Sequence, residues 1–254
     1  MLLRSHANQR YPENEWRAHQ PVQHRSGVER HPAYKLAKGG DAEAAARLID
    51  ELAGPLVAQV KRFGTGVIFV APHALEASGE NAIPQMLAGF LAQRIGARDD
   101  ISVVQRNKVY HTGADAMERL IAPSEFAGTV ETDARYVLVD DVSTMGGTLA
   151  DLANYVLTNG GLVVGAVVLV NAARSGKVIP SSKTLELLER RFGDEIRTTF
   201  GIEPAALTRE EAQYLIGFRT ADELRNRAAA AKQARVERLR SKGIRLEEMS
   251  AESD

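Results

Sequence analysis

Four continuous apolar runs, rich in β-branched residues, restrict what this chain can fold into more than any other feature. Short continuous runs of this kind are typical of strands buried on both faces of a sheet. Amphipathic, helix-like stretches accompany them at 41–63, 82–96 and 148–161. The alternation predicts βαβ units and therefore an α/β fold, an open parallel sheet with helices on both faces. The four runs are VIFVA (67–71), ISVVQ (101–105), RYVLVDD (135–141) and LVVGAVVLVNA (162–172).

The pattern changes at both ends of this region. Residues 1–40 are polar, carry most of the histidines and show no clear period, so we expect an irregular N-terminal arm. Residues 41–180 hold the α/β pattern. Residues 181–254 read as two or three helices without a strong strand, and Thr208 followed by Glu211 is an N-cap signature there. The sequence therefore predicts an arm, an α/β domain and a helical C-terminal extension.

Two adjacent acids, Asp140 and Asp141, end the third apolar run, and hydroxyl residues and glycines follow at once in YVLVDDVSTMGGTLADL (136–152). Ligands of an open parallel sheet bind beyond the carboxyl ends of its strands. Glycines let backbone N–H groups approach an anion, and a helix start adds partial positive charge, which together predict a phosphate site. The carboxylates are acceptors suited to a vicinal diol or to Mg²⁺-bound water. A pentose with a terminal phosphate, such as ribose 5-phosphate, satisfies both halves.

The segment VLVDDVSTMGGT resembles the phosphoribosyl pyrophosphate (PRPP) binding signature of type I phosphoribosyltransferases. Upstream, VIFVAPHALEASGENAIPQMLAGFLAQRIGA (67–97) is similar to the first strand, pyrophosphate loop and helix of the competence-associated subfamily of that family. By this resemblance, Asp140 and Asp141 hold the ribose hydroxyls, with Mg²⁺ as the cofactor that bridges hydroxyls and pyrophosphate. The resemblance also implies a 5-phosphate site made of Ser143, Thr144, Met145, Gly146, Gly147 and Thr148.

The same resemblance assigns residues to the pyrophosphate that would leave in the reaction. Ala71, Pro72 and His73 would lie against it. Lys108 or Arg106, in RNKVYHTG (106–113), would close over it, and these two form the implied catalytic group together with Asp141. The pyrophosphate loop of the subfamily is usually rich in Arg or Lys, whereas HALEASGEN (73–81) has neither and contains two glutamates.

Two functions follow from these residues. The first is a Mg²⁺-dependent phosphoribosyltransferase that moves ribose 5-phosphate onto or off an unidentified nitrogenous base. It would bind PRPP or a ribonucleotide 5-monophosphate, and the resemblance implies a homodimer. The second is a non-catalytic regulator of the same fold, which senses PRPP or a nucleotide and acts on a partner or nucleic acid through its C-terminal helices. The stretch 222–245 carries eight Arg or Lys against three Asp or Glu, but a solvated face or a partner surface is favoured over nucleic acid.

Composition excludes several other classes of protein. The 254 residues have a net charge of -1, which gives no general attraction to nucleic acid or to anionic membranes. There is no cysteine, and this excludes a disulfide framework, a thiolate metal site and a thiol nucleophile. The start of the chain lacks the apolar stretch of a secretory signal, and the longest apolar run, 162–170, is too short to span a bilayer. We therefore expect a cytoplasmic protein with no membrane partner.

Overall fold

The computed structural model describes residues 22–24, 28–74, 81–106, 115–172 and 178–241. The chain divides into two compact units. One comprises 9–108 and 124–178 and is called the sheet unit below. The other comprises 1–8, 109–123 and 179–254 and is called the helical unit.

A five-stranded parallel sheet forms the centre of the sheet unit. Its strand order is β1-β8-β7-β2-β4, and each neighbouring pair is parallel. The long central strands β7 and β8 carry the valine-rich runs, in which nearly every side chain is buried. The strands are β1 (Val22–His24), β2 (Val67–Val70), β4 (Arg98–Asp100), β7 (Arg135–Ser143) and β8 (Leu162–Asn171).

Helices cover both faces of this sheet, as the sequence predicts. The helices α2 to α4 share one apolar core with Phe69, Val137 and Val139. Because side chains alternate along a strand, Tyr136 and Leu138 point to the other face, and both are buried. The helix α6, which directly follows β7, packs on β7 and β8. The helices are α1 (Tyr34–Lys38), α2 (Ala42–Leu52), α3 (Gly54–Val60), α4 (Ile83–Ile95) and α6 (Gly147–Thr158).

The second predicted strand, 101–105, is wrong as a strand of the main sheet. The strand that pairs with β2 is β4, three residues earlier. Asp100 then accepts hydrogen bonds from both the backbone N–H and the hydroxyl of Ser102, at 2.7 Å each, and this turn takes the chain out of the sheet. Only Val104–Gln105 is extended again, as β5 of a small sheet ordered β3-β5-β6, with β3 at His73–Ala74 and β6 at Phe126–Ala127.

The stretch predicted as an irregular arm differs from the structure within residues 22–40. Val22–His24 is an edge strand of the main sheet, Val28–Arg30 is a 3₁₀ turn, and α1 follows. Ala33 and Ala37 are buried, and the Ala37 carbonyl accepts the N–H of Ala82 at 3.1 Å, just before α4. Segments this short show no hydrophobic periodicity in the sequence, because only one or two side chains per turn are buried. Residues 1–21 lie outside the described part of the chain.

The helical unit holds four described helices and the predicted N-cap. Thr208 and Glu211 form a reciprocal capping box at the start of α8. No helix within the described residues has the length and apolar character needed to cross a membrane. The helices are α5 (Ala116–Ile121), α7 (Ser182–Phe200), α8 (Arg209–Ile216) and α9 (Ala221–Ser241).

Candidate functional site

The predicted acids lie at the point of the sheet where the direction of strand succession reverses. From β2 the chain proceeds through α4 to β4 on one side, and then crosses to β7 on the other side of β2. Ligands of open parallel sheets bind at such a reversal, beyond the carboxyl ends of the two strands. The pairing of β2 with β7 aligns Val70 with Leu138. Continuing that register by two residues brings Pro72 level with Asp140, so the loops after both strands border one crevice.

The turn from β7 into α6 contains a glycine in the left-handed conformation. The strand runs to Ser143, two residues beyond the predicted end, and the Ser143 carbonyl accepts the N–H of Ala172 at 2.8 Å. Gly146 is the N-cap of α6 and has φ 75° and ψ 5°, a left-handed conformation that favours glycine. Of the predicted phosphate residues, Thr144 and Met145 lie between β7 and α6, and Gly147 and Thr148 are the first two residues of α6.

The start of α6 has no side-chain cap, a feature that it shares with α1, α3 and α4. Glycine has no side-chain oxygen, so Gly146 leaves the first N–H groups of α6 without the usual acceptor. An anion at this position would satisfy those donors and the helix dipole together. By contrast, four other helices have an N-cap side chain that accepts a backbone N–H: Asp41, Asp115, Ser181 and Thr208.

Asp141 is buried in a polar network that the sequence did not predict. Its Oδ2 atom accepts hydrogen bonds from Lys38 Nζ and, at 3.0 Å, from Asn81 Nδ2. Its Oδ1 atom accepts the backbone N–H of Val142 at 2.8 Å. Lys38 is the last residue of α1, and Asn81 lies just before α4. Sequence reasoning missed Lys38 because it lies 103 residues before its partner, in a stretch without a periodic pattern.

Asp140 has a different environment from its neighbour. Its Oδ1 atom accepts the backbone N–H of Asp141 at 2.9 Å. Burial, followed by the negative charge of Asp141, raises the pKa of Asp140 to about 8, while Lys38 acts in the opposite direction. Burial alone would lower the pKa of Lys38, but the attraction of Asp141 and Asp140 outweighs it, and the pKa is raised. The pair therefore contains one carboxyl group held by a cation and one whose charged form is disfavoured.

The residues predicted to meet pyrophosphate are described in part. Ala71 is buried and Pro72 half-buried, directly after β2. The backbone of His73 pairs with Val104 in the small sheet. Arg106 follows β5, and its N–H donates to the Glu125 carbonyl at 2.8 Å while its side chain is exposed. Lys108 and the side chain of His73 lie outside the described residues.

The structure thus brings the predicted site residues together to different degrees. Asp140, Asp141, the turn 143–148 and the 71–72 segment share one end of the sheet. Arg106 is placed by its strand rather than by a contact: β5 pairs with β3, which begins three residues after β2 ends. Its guanidinium lies near Tyr155 of α6, where it opposes the rise in the pKa of Tyr155 that burial causes.

The donor set fits a magnesium ion that the substrate shares. Within the described ranges, no group of three or more His, Asp or Glu side chains is arranged to hold a metal ion. Mg²⁺ usually keeps several waters and takes one or two carboxylates plus substrate oxygens, rather than an all-protein cage. Asp140 and Asp141 match that requirement, and a ribose diol with pyrophosphate would supply the remaining oxygens.

Comparisons with known proteins give two relatives by sequence. The chain is 38% identical over 215 residues to protein TraN of Escherichia coli, covering 82% of this chain and 48% of that protein. It is 37% identical over 130 residues to an uncharacterised protein of Haemophilus influenzae, covering 50% of this chain and 29% of that protein. The chain thus spans about half, or less, of the length of the curated relatives it matches. No protein-family model matches it.

Three solved structures similar to this chain are phosphoribosyltransferases. At their TM-scores the likeness adds nothing to the description of the fold, which rests on this chain's own strand order and register. An adenine phosphoribosyltransferase of Thermoanaerobacter pseudethanolicus is 22% identical, with 52% of this chain and 82% of that chain covered and a TM-score of 0.32. A hypoxanthine phosphoribosyltransferase of Staphylococcus aureus is 16% identical, with 51% and 65% covered and a TM-score of 0.32. An adenine phosphoribosyltransferase of Leishmania donovani is 16% identical, with 74% and 86% covered and a TM-score of 0.35.

Proposed function

We propose that this chain binds PRPP with Mg²⁺ and transfers ribose 5-phosphate to or from a nitrogenous base, with pyrophosphate as the leaving group. One observation carries the proposal: an aspartate pair and a glycine turn without a side-chain cap lie together at the carboxyl end of β7, where the order of the sheet reverses. Neither feature alone points to a ligand, but acceptors for hydroxyl groups followed directly by donors for an anion suit a pentose with a charged tail.

The residues divide the ligand between them. The N–H groups at the start of α6, with the hydroxyls of Ser143, Thr144 and Thr148, bind the 5-phosphate. Asp140 and Asp141 accept hydrogen bonds from the ribose hydroxyls and hold the ring in a fixed orientation. Mg²⁺, when bound at these carboxylates, neutralises part of the charge that develops on pyrophosphate.

The reaction exchanges one bond for another at the anomeric carbon. The bond from this carbon to the pyrophosphate oxygen breaks, a bond to the base nitrogen forms, and the base gives up a proton. Positive charge develops on the ribose ring and negative charge on the departing pyrophosphate. The carboxylates under the ring and the preorganised donors around the anion stabilise this separation of charge. Lys108 and Arg106 are proposed to cover the leaving group, with Ala71, Pro72 and His73 against it.

A second candidate is a regulator that binds PRPP or a nucleotide without turnover and acts through the helical unit. The sequence LEASGE (75–80), in the predicted pyrophosphate loop, favours it, because two glutamates and no Lys or Arg provide nothing to stabilise a departing anion. The acceptor base, a homodimeric state and a cytoplasmic location belong to the proposal in the same way.

Calorimetry with Mg²⁺ and PRPP tests the shared claim, and pyrophosphate release with a panel of bases separates the two candidates. Binding with turnover supports the transferase, and binding without turnover for any base supports the regulator. The absence of heat at every PRPP concentration contradicts both.

A double variant of Asp140 and Asp141 tests the proposed contacts, and a double variant of Asp99 and Asp100 is its matched control. Asp140→Asn with Asp141→Asn should weaken PRPP binding at least about 100-fold, since two hydrogen bonds to charged groups are lost. Asp99 and Asp100 are also adjacent acids, in the last two positions of β4 of the same sheet, and no glycine turn follows them. Asp99→Asn with Asp100→Asn should leave PRPP binding unchanged. Equal losses for both double variants would show that the effect is general electrostatics.

A further inference from the structure

Lys38 joins the acid pair from a part of the chain with no recognisable motif. Its ammonium group contacts Asp141, while its side chain keeps 35% of its surface exposed. A lysine has three N–H donors, so a second acceptor can bind on the exposed side without breaking the first contact.

The backbone holds Lys38 in this position. The Ala37 carbonyl bonds to the N–H of Ala82, and Asn81, next to Ala82, bonds to the same carboxylate oxygen of Asp141 as Lys38 does. The N–H of Asp41 bonds to the Leu36 carbonyl at 3.0 Å and closes the turn after α1. Lys38 and Asn81 therefore form one hydrogen-bonded unit beside the crevice, and Lys38 is not a surface lysine that contacts an acid by chance.

The charges of the crevice require such a cation. PRPP brings a 5-phosphate, which the start of α6 can bind, and a pyrophosphate group, whose charge neither Asp140 nor Asp141 can balance. We propose that Lys38 contacts the pyrophosphate group directly and supplies the positive charge that the sequence 75–80 lacks. This inference rests on the proposed PRPP site and adds a ligand-contacting residue to it.

The test compares two ligands that differ only in the group assigned to Lys38. PRPP and ribose 5-phosphate share the ring and the 5-phosphate, and only PRPP carries pyrophosphate. Calorimetry is run with Mg²⁺ on the full chain and on Lys38→Ala. The loss of one charge-assisted hydrogen bond should weaken PRPP binding about 10- to 100-fold. Ribose 5-phosphate binding should weaken clearly less than PRPP binding, because Lys38 affects that ligand only through Asp141.

Two further variants separate charge from structure. Lys35→Ala removes an exposed lysine from the same helix and should leave both affinities unchanged. Lys38→Arg keeps the positive charge and should restore most of the PRPP affinity. Lys38→Gln keeps a hydrogen-bond donor next to Asp141 and replaces Lys38→Ala if circular dichroism shows that Lys38→Ala is unfolded.

Each other outcome overturns the assignment. An equal loss for PRPP and ribose 5-phosphate would mean that Lys38 only positions Asp141. A gain for both ligands would mean that the ion pair blocks the site. Wild-type protein that binds ribose 5-phosphate but not PRPP would remove the pyrophosphate site altogether. Wild-type protein that binds neither would contradict the proposed function itself, which this set of ligands distinguishes from a failure of Lys38 alone.

Discussion

Acids of the two units of this chain have different surroundings, although each unit also contains a buried acid that contacts a cation: Glu118 contacts Arg238, and Asp141 contacts Lys38. In the helical unit, Glu118 contacts Arg238, and Asp115 contacts Arg227. In the sheet unit, Asp140 lies beside another carboxylate, and its pKa is raised. The ion pairs of Glu118 and Asp115 hold helices of one unit to one another. A carboxyl group whose pKa is strongly shifted by its environment is typical of a ligand-binding or catalytic site.

The same contrast applies to the basic residues of α9. Arg225, Arg227 and Arg238 each contact a carboxylate of the helical unit itself. Their charges are used in intramolecular ion pairs and are not displayed as a continuous basic face. The contacts favour a structural interpretation of this helix over nucleic-acid binding, since a phosphate backbone would have to compete with acids already in place.

The largest effect on stability is expected at Glu118. Glu118→Gln should lower the free energy of unfolding by about 3 kcal/mol, because it removes a buried carboxylate that contacts the half-buried Arg238. The neighbouring Arg119 adds to the effect, since burial and the charge of Arg238 already lower the pKa of Arg119. Urea denaturation measures the loss, with Glu186→Gln at an exposed position of α7 as the matched control. Equal stability of the two variants would show that the buried ion pair contributes nothing.

Neutralising Asp140 should raise the stability of the fold, whereas neutralising Glu118 should lower it. A carboxyl pKa raised by folding means that the unfolded chain releases the proton more easily, so this group lowers stability progressively from about pH 4 to about pH 8. Asp140→Asn removes that dependence. Its melting temperature should match wild type near pH 4 and exceed it at pH 8, with a difference that grows between these two values. Calorimetric melting at both values measures the difference, and a variant less stable than wild type at pH 8 would show that the Asp140 charge supports the fold.

The sequence predicted those parts of the site that are local in the chain. The acid pair, the glycine turn and the next helix follow one another directly between Asp140 and Thr158, so one strand-to-helix connection brings them together. The reversal of strand order between β2 and β7 could not be predicted, because the two strands lie more than 60 residues apart. Lys38 was missed for the same reason, since only the folded chain brings α1 to the end of β7. The prediction of a strand at 101–105 was wrong, because the hydrogen bonds between Asp100 and Ser102 form a turn in spite of the β propensity of this segment.

Gly146 and Gly201 both have left-handed backbone, so their alanine variants separate the effect of backbone strain on stability from an effect on ligand binding. Gly146 has φ 75° at the start of α6, and Gly201 has φ 66° at the end of α7 in the helical unit. Alanine at either position should cost about 1 kcal/mol of stability, because left-handed backbone disfavours a Cβ. Only Gly146→Ala should also weaken ribose 5-phosphate binding, by about tenfold, since the added carbon lies where the anion approaches the backbone. Calorimetry on both variants checks this, and equal effects on ligand affinity would place the phosphate elsewhere.

The smallest effect is expected at Arg225, whose ion pairs are the most exposed of those compared here. Its side chain is half exposed, and it contacts both Glu195 and the exposed Asp222 one turn earlier on α9. Pairs of this kind contribute little, because water screens the charges and ordering two long side chains costs entropy. Arg225→Ala should therefore lower the free energy of unfolding less than any variant above, and the difference should shrink further in 1 M salt. A loss comparable to that of Glu118→Gln, unchanged by salt, would mean that exposure does not determine what an ion pair contributes to this fold. We expect Glu118→Gln to lower stability and Asp140→Asn to raise it at pH 8, because Glu118 contacts a cation and Asp140 lies beside another carboxylate. If exposure did not matter, this explanation of the two opposite changes would fail.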